Sequence, residues 1–194
     1  MLSNDGKAMH INQTDQEEQI VAMFRRGEPS AMDRLYALYA DYLTGVCMRY
    51  IGNDDDVKDV LQDAFVKIFT QINKFSYRGR GSLKAWVSRI VVNESLQFLR
   101  QRKTGNCLTS TDNLPDLPDE EPDIGSVSAE TIVGLMRKMP DGYRTVLNLF
   151  LLEGKSHKEI AGLLGITPST SASQFHRARN MLARMIKDYK RQHE

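Results

Sequence analysis

Ser156-His157-Lys158-Glu159-Ile160-Ala161-Gly162-Leu163-Leu164-Gly165-Ile166-Thr167-Pro168 is the stretch of this chain that decides its architecture. Ser156 three residues ahead of Glu159 is a capping box, in which hydroxyl and carboxylate each satisfy an amide at the start of a helix. The helix it opens carries Ile160, Ala161, Leu163 and Leu164, and Gly165 is placed to end it in a left-handed conformation. Ile166 then plugs a core, Thr167 caps a second helix and Pro168 takes that helix's first turn. The result is a helix, a tight turn and a helix. In the second helix Phe175, Ala178, Leu182 and Met185 recur as a buried row, which leaves Ser169, Thr170, Ser173, Gln174 and Arg177 exposed towards its N-terminal end. Short polar side chains followed by Gln and Arg suit a helix that enters a major groove and reads base edges. An ordinary αα-hairpin with a basic end fits the same pattern.

Working back from this unit, residues 104–127 contain no Lys or Arg, but hold Asp112, Asp116, Asp119, Glu120, Glu121 and Asp123 together with Pro115, Pro118 and Pro122. So few apolar side chains do not offset the entropy of ordering, and the stretch is expected to be a flexible acidic linker. It separates an N-terminal domain over 15–103 from the helix-turn-helix domain over 128–194, with residues 1–14 a disordered tail. Each domain, of about 100 and about 65 residues, is large enough to fold alone. The expected fold is all-α, two small helical domains joined by that linker.

The N-terminal domain shows helical periods and no sustained alternation. Asn53 and Asp54 can cap a helix whose stripe is Val57, Val60, Leu61, Ala64, Phe65, Ile68, Phe69 and Ile72. Its opposite face presents Asp55, Asp59, Gln62, Asp63 and Val66, a polar surface with one apolar residue set in it. That face is compatible with plain solvation, and three acids on one helix lack the converging ligands a hard cation needs. A second helix runs from Pro29 towards Tyr50 with Met32, Leu35, Tyr36, Tyr39, Leu43, Val46 and Cys47 inward. A third starts near Ser82, turns Leu83, Trp86, Val87, Ile90 and Val91 inward, and ends among Arg100, Arg102 and Lys103.

Before that third helix lies Phe75-Ser76-Tyr77-Arg78-Gly79-Arg80-Gly81-Ser82. Arginines hold phosphates, aromatic faces stack on exposed bases, and glycines let backbone approach a strand closely. A basic surface loop with Phe75 and Tyr77 tucked into the core is equally compatible with it.

Charge supports nucleic acid as a partner only when counted by segment. The whole chain has 26 Lys+Arg against 25 Asp+Glu in 194 residues. From Lys74 to Lys103, however, eight bases face the single acid Glu94, and from Gln174 to Glu194 six bases face two acids. With 41% hydrophobic residues the chain is globular. Cys47 and Cys107 form no metal-spaced pair, and His157 and His176 read as surface residues, so no metal, cofactor or catalytic residue is expected. A metal-dependent nuclease would rest on the Asp54–Asp63 acids alone, with no phosphate loop and no nucleophile beside a base. No segment has the length and apolarity of a membrane span or a secretory signal, which makes the cytoplasm the expected location and excludes direct membrane insertion. A helix-turn-helix regulator that never meets a polymerase explains the C-terminal domain but leaves the acidic face and the Arg-Gly loop idle.

Three motifs in order resemble the extracytoplasmic-function sigma factors of the sigma-seventy family. They are Asp56-Val57-Lys58-Asp59-Val60-Leu61-Gln62-Asp63-Ala64-Phe65, Gly81-Ser82-Leu83-Lys84-Ala85-Trp86-Val87-Ser88-Arg89-Ile90-Val91-Val92-Asn93, and Glu159-Ile160-Ala161 followed by Phe175-His176-Arg177-Ala178-Arg179. The resemblance implies a non-catalytic initiation subunit that docks on core RNA polymerase through Asp56, Asp59, Gln62, Asp63 and Val66. It implies that Tyr77, Arg78, Arg80, Lys84, Trp86, Arg89 and Asn93 bind the minus-ten promoter element and its melted non-template strand. Ser169, Thr170, Ser173, Gln174, Arg177 and Arg179 would then read the minus-thirty-five element as duplex. Where the family usually has Thr-Val-Lys-Ser, this chain reads Thr170-Ser171-Ala172-Ser173, so a common basic contact is absent at Ala172. With no sensor domain after Glu194, control is expected to come from an anti-sigma factor.

Overall fold

The computed structural model describes residues 16–102, 125 and 127–193. The expected N-terminal tail and the linker, apart from Gly125 and Val127, lie outside the described residues. Every regular element among the described residues is helical, as the sequence periodicities require. These residues group into two compact units, one drawn from 1–47 and 58–94, the other from 48–57 and 95–194.

The first unit is built from α1 (residues 16–25), most of α2 (Ser30–Met48), α3 (Asp54–Gln71) from Lys58 onward and α4 (Ser82–Arg102) as far as Glu94, with a 3-10 turn Ile72–Lys74 after α3. The α3 start is capped as expected: Asn53 Oδ1 accepts the amides of Asp55 at 2.9 Å and Asp56 at 3.1 Å. Asp54, Asp55 and Asp56 place negative charge at the positive end of that helix. Val57, Val60, Ala64, Phe65, Ile68 and Ile72 are buried, and from α4 come Leu83, Val87 and Val91. Each large side chain taken from water contributes about 1.5–3 kcal/mol. The α2 row is found as expected at Leu35, Tyr39, Leu43, Val46 and Cys47, and fails at two residues. Ala31, Leu35, Tyr39, Leu43 and Val46 are buried, whereas Met32 and Tyr36 are 49% and 54% exposed. A step of four from Ala31 carries the buried row, and Tyr36 only lays its ring against Phe65, centroids 4.9 Å apart. Phe24 of α1 meets Phe69 at 6.4 Å. Glu94, nearly buried, takes an ion pair from Lys67 Nζ at 2.6 Å.

The second unit holds α5 (Ala129–Arg137), α6 (Asp141–Leu151), α7 (His157–Leu164) and α8 (Pro168–His193). Leu135, Met139, Tyr143, Leu147, Ala178, Leu182 and Ile186 form its core. α6 is buried from Gly142 to Leu149 without a gap, so its polar residues need internal partners. Arg144, 1% exposed, finds them in main-chain oxygens. Its Nε and Nη2 donate to Tyr50 O at 3.0 and 2.8 Å. Its Nη1 donates to Arg137 O at 3.0 Å and Met139 O at 2.9 Å, while the Asp141 carboxylate balances its charge. Asn148 Nδ2 likewise donates to Arg49 O at 2.6 Å. Residues 48–57 are thereby fastened to α6 within this unit.

Candidate nucleic-acid interface

The Arg-Gly loop is shaped by its backbone. Phe75 leaves the 3-10 turn in an extended conformation, its amide bonded to Ile72 O at 3.0 Å, and its ring lies 5.1 Å from Trp86. Arg78 N–H donates to Ser82 Oγ at 3.1 Å and Ser82 N–H to Gly79 O at 3.1 Å. Gly81 has φ of +80°, a backbone that an L side chain adopts only under strain. This turn sends its two arginines to different places. Arg78 lines a cavity of about 440 Å³ with Lys74, Phe75, Ser76, Ser82, Ala85, Trp86 and Arg89. Arg80 and Lys84 line a second groove of about 260 Å³ with Glu17, Tyr39, Tyr42 and Gly81. Lys84 Nζ sits 4.0 Å above the Tyr42 ring centroid, a cation–π contact.

The larger cavity combines an aromatic wall with three cations. Its size is that of a site for a small organic ligand, and an unstacked nucleobase is one. Trp86 and Arg89, expected from sequence at a DNA surface, both line it; Asn93 follows one turn further along α4 and is exposed. Tyr77 is half-buried and outside the lining. Burial, then Glu17 and Glu18, raise its hydroxyl above the ordinary tyrosine range. Lys74 and Tyr42 carry no expectation as contacts from sequence, whereas Phe75 is one of the two loop aromatics weighed there. Lys74 was visible there only as the first base of the basic block.

On α3, Asp59, Gln62, Asp63 and Val66 are exposed, Val66 at 56%. Their spacing puts them on one face of the helix. Asp56 is half-buried and ion-paired with Arg102. Among the described residues no group of three or more His, Cys, Asp or Glu side chains is placed to hold a metal ion, and no helix is long and apolar enough to cross a membrane.

In the helix-turn-helix the local chemistry is as expected. Ser156 and Glu159 make both bonds of the capping box, and Gly165 closes α7 at φ 66°, ψ 38°. Thr167 Oγ1 accepts the Thr170 amide at 3.1 Å. The amide and then the hydroxyl of Ser156 hold the Glu159 carboxyl below its ordinary range. One expected contact is corrected. Gln174, read as exposed and base-reading, is 3% exposed. The buried row of α8 begins with Ser171 and Gln174 before reaching Ala178 and Leu182; both polar residues lie one turn before the apolar row and on its face. Ser169 and Ser173 are exposed, while Thr170, Arg177 and Arg179 are half-buried. His176 shares the outward row with Ser169, Ala172 and Ser173. His157, expected on the surface, is half-buried, its ring stacked 4.8 Å from Phe150 and its Nδ1 3.0 Å from Ser171 Oγ.

Comparison with known families matches residues 35–104 to Sigma-70 region 2 and residues 129–182 to Sigma-70, region 4. The chain belongs to the sigma-70 family, as an extracytoplasmic-function sigma factor. A sigma factor is the promoter-recognition subunit of RNA polymerase, so core polymerase and promoter DNA are its partners. The ECF RNA polymerase sigma-E factor of Haemophilus influenzae is 27% identical to this sigma factor, over 88% of this chain and 95% of that protein. The ECF RNA polymerase sigma factor SigW of Bacillus subtilis is 26% identical, over 87% and 95%. A solved structure of CnrH in complex with the cytosolic domain of CnrY is 21% identical, with a TM-score of 0.47, covering 89% of this chain and 98% of that one. The surfaces described above fall in the matched regions: the Arg-Gly loop and α3 in region 2, and the helix-turn-helix as far as residue 182 in region 4.

Proposed function

We propose that this sigma factor opens promoters by capturing non-template bases of the minus-ten element in the cavity between the Arg-Gly loop and α4. The observation that carries the reading is the cavity itself: Arg78, Trp86, Arg89 and Lys74 converge on one space of about 440 Å³ beside a backbone-locked turn. Arg80 and Lys84 hold the strand on the neighbouring groove, and Tyr77 and Asn93 extend the surface. Unstacking costs about 1.4 kcal/mol per step, and each captured base returns about 1–3 kcal/mol. The balance is close enough for polymerase docking to tip it without nucleotide hydrolysis, and in this reading the chain is no enzyme.

Docking is assigned to Asp56, Asp59, Gln62, Asp63 and Val66, and minus-thirty-five readout to Ser169, Thr170, Ser173, Arg177 and Arg179, with His176 taking the outward place first given to Gln174. The division into 15–103, linker 104–127 and 128–194 belongs to the same proposal, as does a cytoplasmic location. An anti-sigma factor is included on the family resemblance alone. The test is reconstituted transcription with core polymerase, with strand opening followed by permanganate reactivity of unpaired thymines. Arg78→Ala and Arg89→Ala should each reduce opening by about tenfold, the loss of one good base contact. Opening at the unaltered rate in both variants refutes the cavity's role.

A further inference from the structure

Glu17 lies in α1, more than sixty residues before the loop whose shape it touches. Its side chain is buried at 7% exposure, unusual for a carboxylate. Both oxygens are engaged. Oε1 accepts the Tyr39 hydroxyl at 2.6 Å, and Oε2 accepts the amides of Gly81 at 3.0 Å and Leu83 at 3.4 Å. Those two amides belong to the start of α4, where the first N–H groups of a helix have no partner of their own. A carboxylate here satisfies them and also meets the positive end of the helix. Burial, and then the bond to Glu17, raise the Tyr39 hydroxyl well above the usual tyrosine range, so it stays a donor to the carboxylate at any physiological pH.

The position of these bonds decides what they do. Gly81 directly follows Arg80 and lies three residues after Arg78, and its positive φ, together with that of Gly79, shapes the turn on which both arginines are carried. Within the loop the bonds of Arg78 and Ser82 are short-range, while Glu17 ties the turn to α1 and, through Tyr39, to α2. We propose that Glu17 is a positioning residue for promoter opening: with both carboxylate oxygens spent on protein donors in the wall of the second groove, it clamps the Gly81–Leu83 backbone so that Arg78 and Arg80 are held ready for the unpaired strand. Tyr39 keeps the clamp aligned. This rests on the reading of the Arg-Gly loop as the base-capturing element.

The experiment uses the full chain with core polymerase on a duplex promoter recovered by the same holoenzyme from genomic fragments. Closed-complex affinity and the opening rate are measured separately, alongside core affinity and the chain's thermal midpoint. Glu17→Ala should slow opening about tenfold, with closed-complex and core affinities unchanged. Glu17→Gln, which keeps one acceptor oxygen on the same stem, should restore most of that rate. Tyr39→Phe, which removes only the hydroxyl, should cost a few-fold. A plain folding role would instead lower core affinity and closed-complex affinity together, and that pattern in Glu17→Gln and Tyr39→Phe overturns the proposal. So does wild-type opening by Glu17→Ala. Arg78→Ala in the same assay separates the two layers: if it slows opening and Glu17→Ala does not, the clamp alone fails; if neither slows it, the loop reading fails with it.

Discussion

Gly165 ends α7 at φ 66°, ψ 38°, with its amide bonded to Ala161 O, and the Ile166 amide reaches the same oxygen at 3.1 Å. A Cβ added at Gly165 meets nothing within 4 Å, so the cost of Gly165→Ala is conformational and not steric. An L residue in the left-handed region costs about 1–2 kcal/mol. The smaller entropy of the unfolded alanine chain returns about 0.4–1 kcal/mol. The net is about 1 kcal/mol of destabilisation, a factor of about five in the opening equilibrium. Gly165→Asn should lose less, since Asn visits this conformation more readily. Amide exchange at Ile166 reads the local opening, and Trp86, the single tryptophan, serves as an internal control because it lies in the other unit. Ile166 protection should fall about fivefold in the alanine variant and less in the asparagine variant, while the Trp86 fluorescence midpoint stays fixed. Equal protection in all three proteins, or an asparagine variant worse than the alanine one, refutes the conformational account.

Ser156→Ala removes the other end of the same helix's support and should destabilise α7 by about 1 kcal/mol, read by exchange at Ile160. Because the Glu159 carboxyl titrates below its ordinary value of 4.5, its cap contributes fully above that value and is lost as pH falls through the lower folded one. Exchange protection in α7 should therefore weaken on acidification, and Ser156→Ala should flatten that dependence. Val66→Asp and Asp63→Lys alter exposed positions, so core polymerase affinity should drop while the chain's thermal midpoint moves little; unchanged affinity in both refutes the docking face. Gln174→Ala, at a buried position, should lower thermal stability by about 1–3 kcal/mol. Ser173→Ala should instead change base preference in a promoter selection at wild-type stability.

What could be seen in the residues beforehand was what short-range rules govern. Asn53, the Ser156/Glu159 box, Gly165 and the Thr167-Pro168 start each act within four residues, and each is found in its expected role. Buried rows were less secure, because polarity was used to infer burial. Ser171 and Gln174 are polar and buried, whereas Met32 and Tyr36 are apolar and exposed, so the edges of two otherwise correct faces were misplaced. The Trp86 cavity was legible only in part: Arg78 and Arg89 follow from composition, but that Arg78 and Arg80 serve separate grooves goes with a backbone turn in which Gly79 and Gly81 both have positive φ. Glu17 had no signal at all, since its partners are two amides and a phenol brought together by the tertiary fold.

Arg144 has a quieter consequence. Beside the Asp141 carboxylate, its guanidinium recognises the peptide oxygens of Tyr50, Arg137 and Met139. Replacements at 50, 137 or 139 leave those oxygens in place, so the fastening itself is indifferent to which residues occur there. Lysine at 144, with one nitrogen where arginine has three, has no comparable reach. As far as this fastening goes, constraint is thus lopsided: packing, not recognition, limits the accepting positions, while the donating one must be arginine.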